Sequence, residues 1–78
     1  MHSPVQVTLY ATLRQHLDGG ASRTVPTAPG ETVRDVLGRL GVPSDEVKLV
    51  FVDARPATLD TPLKGARTLA LFPLIAGG

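Results

Sequence analysis

The residues best suited to chemistry in this sequence lie at its carboxyl end, where residues 72–78 read FPLIAGG. A tail that is free in water has no reason to expose Leu74 and Ile75, so these side chains indicate a groove on a partner. The glycine pair, Gly77 and Gly78, has no Cβ atoms and suits delivery of this end into a narrow channel. The alternative is a frayed terminus, which is what most chain ends are.

No motif of conventional catalysis stands elsewhere in the sequence. Lys48 and Lys64 lack the upstream glycines of a phosphate-binding loop, and no Gly-x-Ser-x-Gly is present. The absence of Cys leaves no thiolate nucleophile, disulfide or Cys-based zinc site. His2 and His16 have no partner at metal or triad spacing, and the seven carboxylates are scattered. We therefore expect no metal site and no catalytic centre built from side chains.

Length and charge exclude further classes of function. A chain of 78 residues and 8.2 kDa forms one small domain without room for an enclosed active site. The net charge is +1 and the basic residues are spread singly from Arg14 to Arg67, which argues against nucleic acid as a partner. The longest apolar stretch, 69–76, is far short of the roughly 20 residues of a membrane span, and residues 1–4 do not resemble a signal peptide. We expect a cytoplasmic protein.

Hydrophobic periodicity divides the chain into strands and helices. The clearest element is a helix between Thr32 and Gly41, in which Thr32 is the N-cap, Asp35 completes a capping box and Gly41 is the C-cap. In the irregular link over 56–66, which precedes the last strand, we expect Leu59 and Leu63 to pack into the core. The other predicted elements are a strand over 5–10, a short helix over 11–17, a strand over 22–25, a loop over 26–30, a strand over 47–52, a turn over 53–55, a turn-rich link over 56–66 and a strand over 68–72.

One helix on one face of a mixed sheet buries these apolar faces economically. The sequence therefore predicts an α+β fold of the β-grasp type, with four to five strands, one main helix and a flexible Gly-Gly tail. Residues 1–72 would form the single domain and residues 73–78 the tail. In the last strand Leu69 and Leu71 would point inward, while Phe72 would be an exposed aromatic residue beside the tail.

The element order and a set of short motifs resemble the MoaD/ThiS family of ubiquitin-like sulfur-carrier proteins. The match spans nearly the whole chain and is strongest to the small subunit of molybdopterin synthase, in which a Phe-Pro pair precedes the terminal glycines. Gln15 and Asp53 depart from the family's usual Glu and Asn. The motifs that carry the resemblance are YATLR at 10–14, the Thr-capped helix, TPL at 61–63, LFP at 71–73 and AGG at 76–78.

The resemblance implies a reaction cycle at the carboxylate of Gly78. A separate ubiquitin-activating-like adenylyltransferase joins this carboxylate to AMP, and a persulfide sulfur donor displaces the AMP. Reductive release leaves a thiocarboxylate that donates sulfur, most directly in molybdopterin (molybdenum cofactor) synthesis. The chain would then be a carrier or cosubstrate, or the non-catalytic small subunit beside the large subunit of molybdopterin synthase. It would bind no cofactor, because ATP and the sulfur donor are used by the partner enzymes.

The same resemblance predicts which residues meet partners. Arg14, Lys64 and Arg67 are candidates for electrostatic steering, although surface charges are usually only solvated. The reactive end is assigned to Gly78 with Gly77 beside it. The residues predicted to contact partners are Phe72, Pro73, Leu74, Ile75 and Ala76.

Other functions remain open at this point. A sulfur carrier for thiamine thiazole or for cysteine would use the same thiocarboxylate. A ubiquitin-like modifier would use the activated carboxylate of Gly78 to form an isopeptide bond with lysines of other proteins. A β-grasp interaction domain with an incidental Gly-Gly end would predict that removal of residues 73–78 changes nothing.

Overall fold

The computed structural model of the chain describes residues 3–16 and 22–73. The five strands within these ranges form one mixed sheet in the order β2-β1-β5-β3-β4, in which β1 and β5 are parallel and the other neighbours antiparallel. The predicted α+β, β-grasp fold is confirmed. The strands are β1 (Ser3–Leu9), β2 (Ser22–Thr27), β3 (Val47–Val52), β4 (Arg55–Ala57) and β5 (Thr68–Pro73); the α-helix is α1 (Val33–Leu40), and 3₁₀ helices span Ala11–His16 and Ser44–Glu46.

The core lies between α1 and one face of the sheet. The alternation in β1 buries Val5, Val7 and Leu9 completely, and Leu69 and Leu71 of β5 are buried beside them. Each such side chain contributes roughly 1.5–3 kcal/mol relative to an exposed position. The predicted inward direction of Leu69 and Leu71 is confirmed. Val33, Val36 and Leu37 cover this face from the helix, with Leu63 from the link before β5.

Helix α1 has the predicted caps at both ends. The Thr32 hydroxyl accepts a hydrogen bond from the Asp35 backbone N–H, and the Asp35 carboxylate accepts one from the Thr32 N–H at 2.9 Å. Gly41 adopts the left-handed conformation, with φ of 76°, at the carboxyl end. These caps satisfy backbone groups that an eight-residue helix would otherwise leave without partners.

Strands β2 and β4 differ most from the sequence predictions, and β1 spans Ser3–Leu9 rather than 5–10. Strand β2 continues through Pro26 to Thr27, where a loop was expected; the proline is tolerated because β2 lies at the edge of the sheet and needs no donor on its outer side. Residues 55–57 form β4 rather than part of a turn and link. A tight turn at Asp53 and Ala54, both with positive φ, folds β4 back onto β3.

Strand β5 lies in the centre of the sheet and ends one residue later than predicted. Pro73, which the sequence analysis placed in the tail, belongs to β5, pairs with Val47 and is buried. The remaining residues assigned to the tail, 74–78, lie outside the described ranges.

Candidate functional site

The last residues of β5 are fixed from both sides of the strand. Leu71 pairs with Leu9 of β1, and its carbonyl accepts a hydrogen bond of 3.1 Å from the Tyr10 N–H. On the other side Phe72 pairs with Leu49 of β3. The end of β5 is therefore held by pairing with β1 on one side and β3 on the other.

Phe72 lies at the centre of an aromatic cluster on the sheet face opposite α1. Its ring stacks on Tyr10 with the centroids 4.3 Å apart, and it meets Phe51 edge-on at 5.6 Å. The outward direction of Phe72 is as predicted, but the ring is half-buried rather than exposed because these two rings cover it. Leu49 completes the cluster; its side chain and that of Tyr10 are 49% and 41% exposed. We call Tyr10, Leu49, Phe51 and Phe72 the aromatic patch.

Two local irregularities lie next to the aromatic patch. Ala11 has a φ of 53°, a left-handed conformation that costs a residue with a Cβ on the order of 1 kcal/mol. It joins β1 to a 3₁₀ helix whose Leu13 is fully buried, and the Leu13 N–H donates to the Tyr10 carbonyl at 3.1 Å. The strained residue thus lets Tyr10 stay on the open side of the sheet while Leu13 enters the core.

The second irregularity is a β-bulge in β3 at Lys48. The pairing passes from Val47 opposite Pro73 to Leu49 opposite Phe72, which leaves Lys48 as the extra residue. Lys48 lines a shallow cleft together with Arg34 and Asp60, whose side chains form an ion pair of 3.2 Å. The bulge therefore lies next to Leu49 in the chain, while the Lys48 side chain lines the cleft beside α1.

The residues suggested for electrostatic steering are separated by the fold. Arg14 lies in the 3₁₀ helix after Tyr10, at the end of the sheet where β5 stops. Lys64 and Arg67 precede β5 and lie at the opposite end, where the Gln6 N–H donates to the Arg67 carbonyl. Of the three, only Arg14 is thus placed near the start of the 74–78 segment.

The start of β5 is hydrogen-bonded to the side chain of Asp53. Its carboxylate accepts hydrogen bonds from the Arg67 N–H at 2.9 Å and the Thr68 N–H at 3.1 Å. These two backbone donors, the Arg67 bond first, hold the pKa of Asp53 below its ordinary value of 3.8, because they stabilise the charged form. Asp53 therefore connects the β3–β4 turn to the start of β5, at the end of that strand opposite to Phe72.

A second polar contact joins the two 3₁₀ helices. The His16 Nε2 lies 3.0 Å from the Glu46 Oε1, across 30 residues of sequence.

Within residues 3–16 and 22–73, no cluster of His, Cys, Asp and Glu could hold a metal ion. None of the helices in the same part of the chain is long and apolar enough to cross a membrane.

The sequence matches the model of one protein family over residues 2–76, and that family is described as Mut7-C ubiquitin. The chain belongs to this family. The assignment agrees with the resemblance to ubiquitin-like proteins of the MoaD/ThiS type. No curated protein matches the sequence significantly.

Solved structures of other small proteins share the fold over nearly their whole length. SAMP1 from Haloferax volcanii is 24% identical and superposes with a TM-score of 0.73 over 97% of this chain and 100% of its own. The molybdopterin converting factor subunit 1 from Pyrococcus furiosus is 19% identical, with a TM-score of 0.67 over 92% and 98%. The ubiquitin of Caldiarchaeum subterraneum is 18% identical, with a TM-score of 0.64 over 100% of both chains. The fold is thus that of ubiquitin.

The site predicted from sequence is described only in part. Phe72 and Pro73 lie where β5 ends, whereas Leu74, Ile75, Ala76, Gly77 and Gly78 lie outside the described residues. Sequence reasoning missed the contributions of Leu49 and Phe51 to the surface around Phe72. Their outward direction follows from the alternation of β3, but their contact with Phe72 depends on the order and register of the strands.

Proposed function

We propose that this protein is a sulfur carrier whose Gly78 carboxylate is adenylated and then converted to a thiocarboxylate. The observation that carries the proposal is the position of Phe72 and Pro73 at the end of the central strand. Strand β5 is hydrogen-bonded on both sides and ends beside an exposed aromatic patch, and the sequence continues from there to Gly77 and Gly78. In this proposal the aromatic patch would bind the partner enzyme, and the segment from Pro73 to Gly78 would carry the reactive carboxylate away from the folded domain.

The chemistry needs an activated carboxyl group, because a carboxylate is a poor electrophile. The Gly78 carboxylate attacks the α-phosphate of ATP in a ubiquitin-activating-type adenylyltransferase, which gives an acyl adenylate and pyrophosphate. A persulfide on a donor protein attacks the acyl carbon and AMP leaves. Two electrons from a thiol reductant then cleave the sulfur–sulfur bond, so that the terminal sulfur stays on Gly78 as the thiocarboxylate.

The protein's own residues supply binding and reach in this cycle. Gly77 and Gly78 have no Cβ and can follow a narrow channel to the reacting atoms. Leu49, with about half of its side chain exposed, and the half-buried Phe72 offer apolar area to the enzyme that holds this end. Leu74, Ile75 and Ala76 would line the entrance to the channel.

Molybdopterin synthesis is the pathway that we favour for the sulfur. The support is the Phe-Pro pair before the glycines, which the resemblance associates with the small subunit of molybdopterin synthase. The acceptor would then be the large subunit of that enzyme. A test is conversion of the sulfur-free pterin precursor by the large subunit from the same host, with the thiocarboxylated protein as the only sulfur source. Carriers for thiamine thiazole or cysteine would give no product in this assay.

The decisive experiment for the carboxyl end is intact-mass measurement. The protein is incubated with ATP, the ubiquitin-activating-type enzyme of its host and a persulfide donor. We expect a mass gain equal to the exchange of one oxygen for one sulfur, located in the peptide that contains Gly78. Deletion of Gly78 and the substitution Gly78→Val should abolish the gain, while the matched variant Gly38→Val on the exposed side of α1 should retain it. A wild-type protein that gains neither AMP nor sulfur would contradict the proposal.

The same measurement separates a carrier from a ubiquitin-like modifier. A modifier would be activated by the same first step but would appear in covalent adducts with lysine side chains of other proteins. Digestion of such adducts would leave a glycine remnant on the modified lysine. Adducts without any thiocarboxylate would assign the protein to the modifiers.

A further inference from the structure

The sheet has two edge strands, β2 and β4, which differ in what they offer to a further strand. Strand β4 spans three residues, and its central residue, Pro56, has no N–H. A short edge and a proline on it both hinder pairing with another chain. Strand β2 spans six residues, which is an ordinary length for a strand that pairs on both sides. The edge that needs further protection is therefore β2.

The register of β2 with β1 shows which backbone groups of β2 point outward. Gln6 pairs with Thr24, and the Gln6 N–H donates to the Arg67 carbonyl on the β5 side of β1. The two paired residues therefore do not bond each other, and the N–H and C=O of Thr24 point away from β1. The same alternation turns the Ser22 N–H and the Pro26 carbonyl outward. Among the described residues, the outward groups of Thr24 have no hydrogen-bond partner.

Arg39 lies across the end of this edge. It belongs to the last turn of α1, and its Nη2 donates to the outward Pro26 carbonyl at 2.8 Å. The same nitrogen donates to the Glu31 Oε1 at 3.0 Å, and that oxygen also accepts a hydrogen bond of 2.7 Å from the Ala28 N–H. The guanidinium is thus held between the helix, β2 and the loop that follows β2. It occupies the place where a further strand would pair with Pro26.

The outward groups of β2 are complementary to those of a second copy of the same strand. In an antiparallel pair with Thr24 opposite Thr24 of the other copy, the two threonines exchange both backbone hydrogen bonds. Each Ser22 N–H then meets the Pro26 carbonyl of the other copy. Arg23 lies opposite Val25 of the other copy, so no like charges face each other directly. The proline leaves only the Ser22 carbonyl of each strand without a donor.

We propose that Arg39 is a strap that closes the edge of β2 and keeps the protein monomeric, and that its removal lets β2 pair with β2 of a second copy about Thr24. With Arg39 in place, only Ser22 and Thr24 present free outward groups, which is less than the three residues of the shortest ordinary strands. Without it, the Pro26 carbonyl extends the pairing, and the two copies form one continuous sheet. This inference does not depend on the chemistry proposed for Gly78.

The test uses Arg39→Ala, with Arg34→Ala as its matched control. Both arginines are exposed on α1, both form an ion pair with a carboxylate, and both changes remove one positive charge. A double variant adds Thr24→Pro to Arg39→Ala, because proline removes the outward N–H of residue 24 and leaves the bonds between β2 and β1 intact. Sedimentation equilibrium up to millimolar concentration gives the mass of each protein, and urea unfolding verifies that each variant folds.

The wild type and Arg34→Ala should be monomers, Arg39→Ala should double in mass, and the double variant should be a monomer again. Amide hydrogen exchange identifies the interface even if the double variant does not fold. In Arg39→Ala the Thr24 N–H should exchange at least about tenfold more slowly in the dimer than in the dilute monomer, because it is hydrogen-bonded only in the dimer.

Each contrary result overturns the proposal. A dimeric wild type would show that the edge of β2 is not closed, and a monomeric Arg39→Ala would show that Arg39 is not what closes it. A dimer of Arg34→Ala would attribute association to the loss of charge alone. A dimer of the folded double variant, or a dimer of Arg39→Ala without protection of the Thr24 N–H, would place the contact outside β2.

Discussion

The ring of Tyr10 stacks on the ring of Phe72 with centroids 4.3 Å apart and planes within 5° of parallel. The two residues belong to the first and last parts of the chain, and the parallel pairing of β1 with β5 brings them together. The stack joins β5, the strand that precedes residues 74–78, to the end of β1. It therefore contributes to the stability of the domain and to the shape of the surface that we propose for docking.

The energy of this stack can be measured by a double-mutant cycle. We expect Tyr10→Leu and Phe72→Leu to destabilise the protein individually, with a coupling between them of about 0.5–1.5 kcal/mol, because stacked rings attract beyond their buried area. Urea unfolding of the four proteins gives the coupling. The pair Tyr10 and Leu63, on opposite sides of the sheet, is a control expected to be additive. A coupling near zero would show that the stack does not stabilise the fold.

Leu49 should separate binding from stability. Its side chain is 49% exposed, so Leu49→Ala should lower the free energy of unfolding by about 1 kcal/mol or less. The same change should raise KM for adenylation about tenfold, because it removes the most exposed apolar side chain of the aromatic patch. Leu71→Ala, in the core, should instead cost about 2–5 kcal/mol of stability. Equal KM for Leu49→Ala and wild type would exclude the patch from docking.

Gly38 should be a site of easy stabilisation. It lies inside α1, has no positive φ and leaves open space where a Cβ would be. Gly38→Ala should therefore add about 0.5–1 kcal/mol of stability, which raises Tm by roughly 2–8 °C in a domain of this size. Gly41→Ala is the contrasting change, since φ of 76° at the C-cap strains any side chain and should lower Tm. Thermal unfolding by circular dichroism measures both.

Replacement of Ala54 in the β3–β4 turn by glycine should stabilise the protein, whereas most alanine-to-glycine substitutions are destabilising. Its φ is 66°, and that of Asp53 is 50°, which are the left-handed conformations of a tight hairpin turn that favours glycine. Ala54→Gly should stabilise the protein by up to about 1 kcal/mol, because the relief of strain exceeds the added chain entropy. Ala57→Gly in β4 has no such strain to relieve and should destabilise. A loss of stability in Ala54→Gly would contradict the turn geometry.

The pH dependence of stability should contain a contribution from Asp53. Its pKa is lowered from 3.8 in the folded state, chiefly by the hydrogen bond from the Arg67 N–H, so the folded protein binds this proton less readily than the unfolded chain. The stabilisation is fully present above pH values near 3.8 and is lost as pH falls through the lower folded pKa.

The measurement compares the wild type with Asp53→Asn between pH 7 and pH 2. The difference in Tm should be constant near neutrality and should shrink below the ordinary pKa of 3.8. Asp45→Asn is the control, because the Asp45 carboxylate has no hydrogen-bond partner among the described residues. A difference for Asp53→Asn that did not change with pH would show that its carboxylate does not stabilise the folded state by accepting these bonds.

Patterns within a short stretch of sequence predicted most of the fold. The alternation of Val5, Val7 and Leu9 and the caps of α1 are local signals, and the structure confirms them. Strand β4 gave no such signal, because three residues with a central proline show no periodicity and Ala54 replaces the glycine typical of its turn. The β5 boundary was missed because Pro73 looks like the start of a tail, although it lies in the strand.

The candidate site was harder to predict because it depends on contacts between residues that are far apart in the sequence. Phe72 was recognised from its place before the glycines, but its partners Tyr10 and Phe51 come from other strands. The contact between His16 and Glu46 spans 30 residues and has no local pattern at all. Such contacts follow only when strand order and register are known.

The central place of β5 also affects how the chain can fold during synthesis. In the order β2-β1-β5-β3-β4, the pairs β1–β2 and β3–β4 are joined within the sheet only through β5. Since β5 is the last of these five strands to be made, the nascent chain holds two hairpins that are not joined within the sheet until β5 itself has been translated. A truncated product that lacks 68–73 cannot close the sheet. The five-stranded sheet can therefore be completed only after β5, which precedes residues 74–78, has been synthesised.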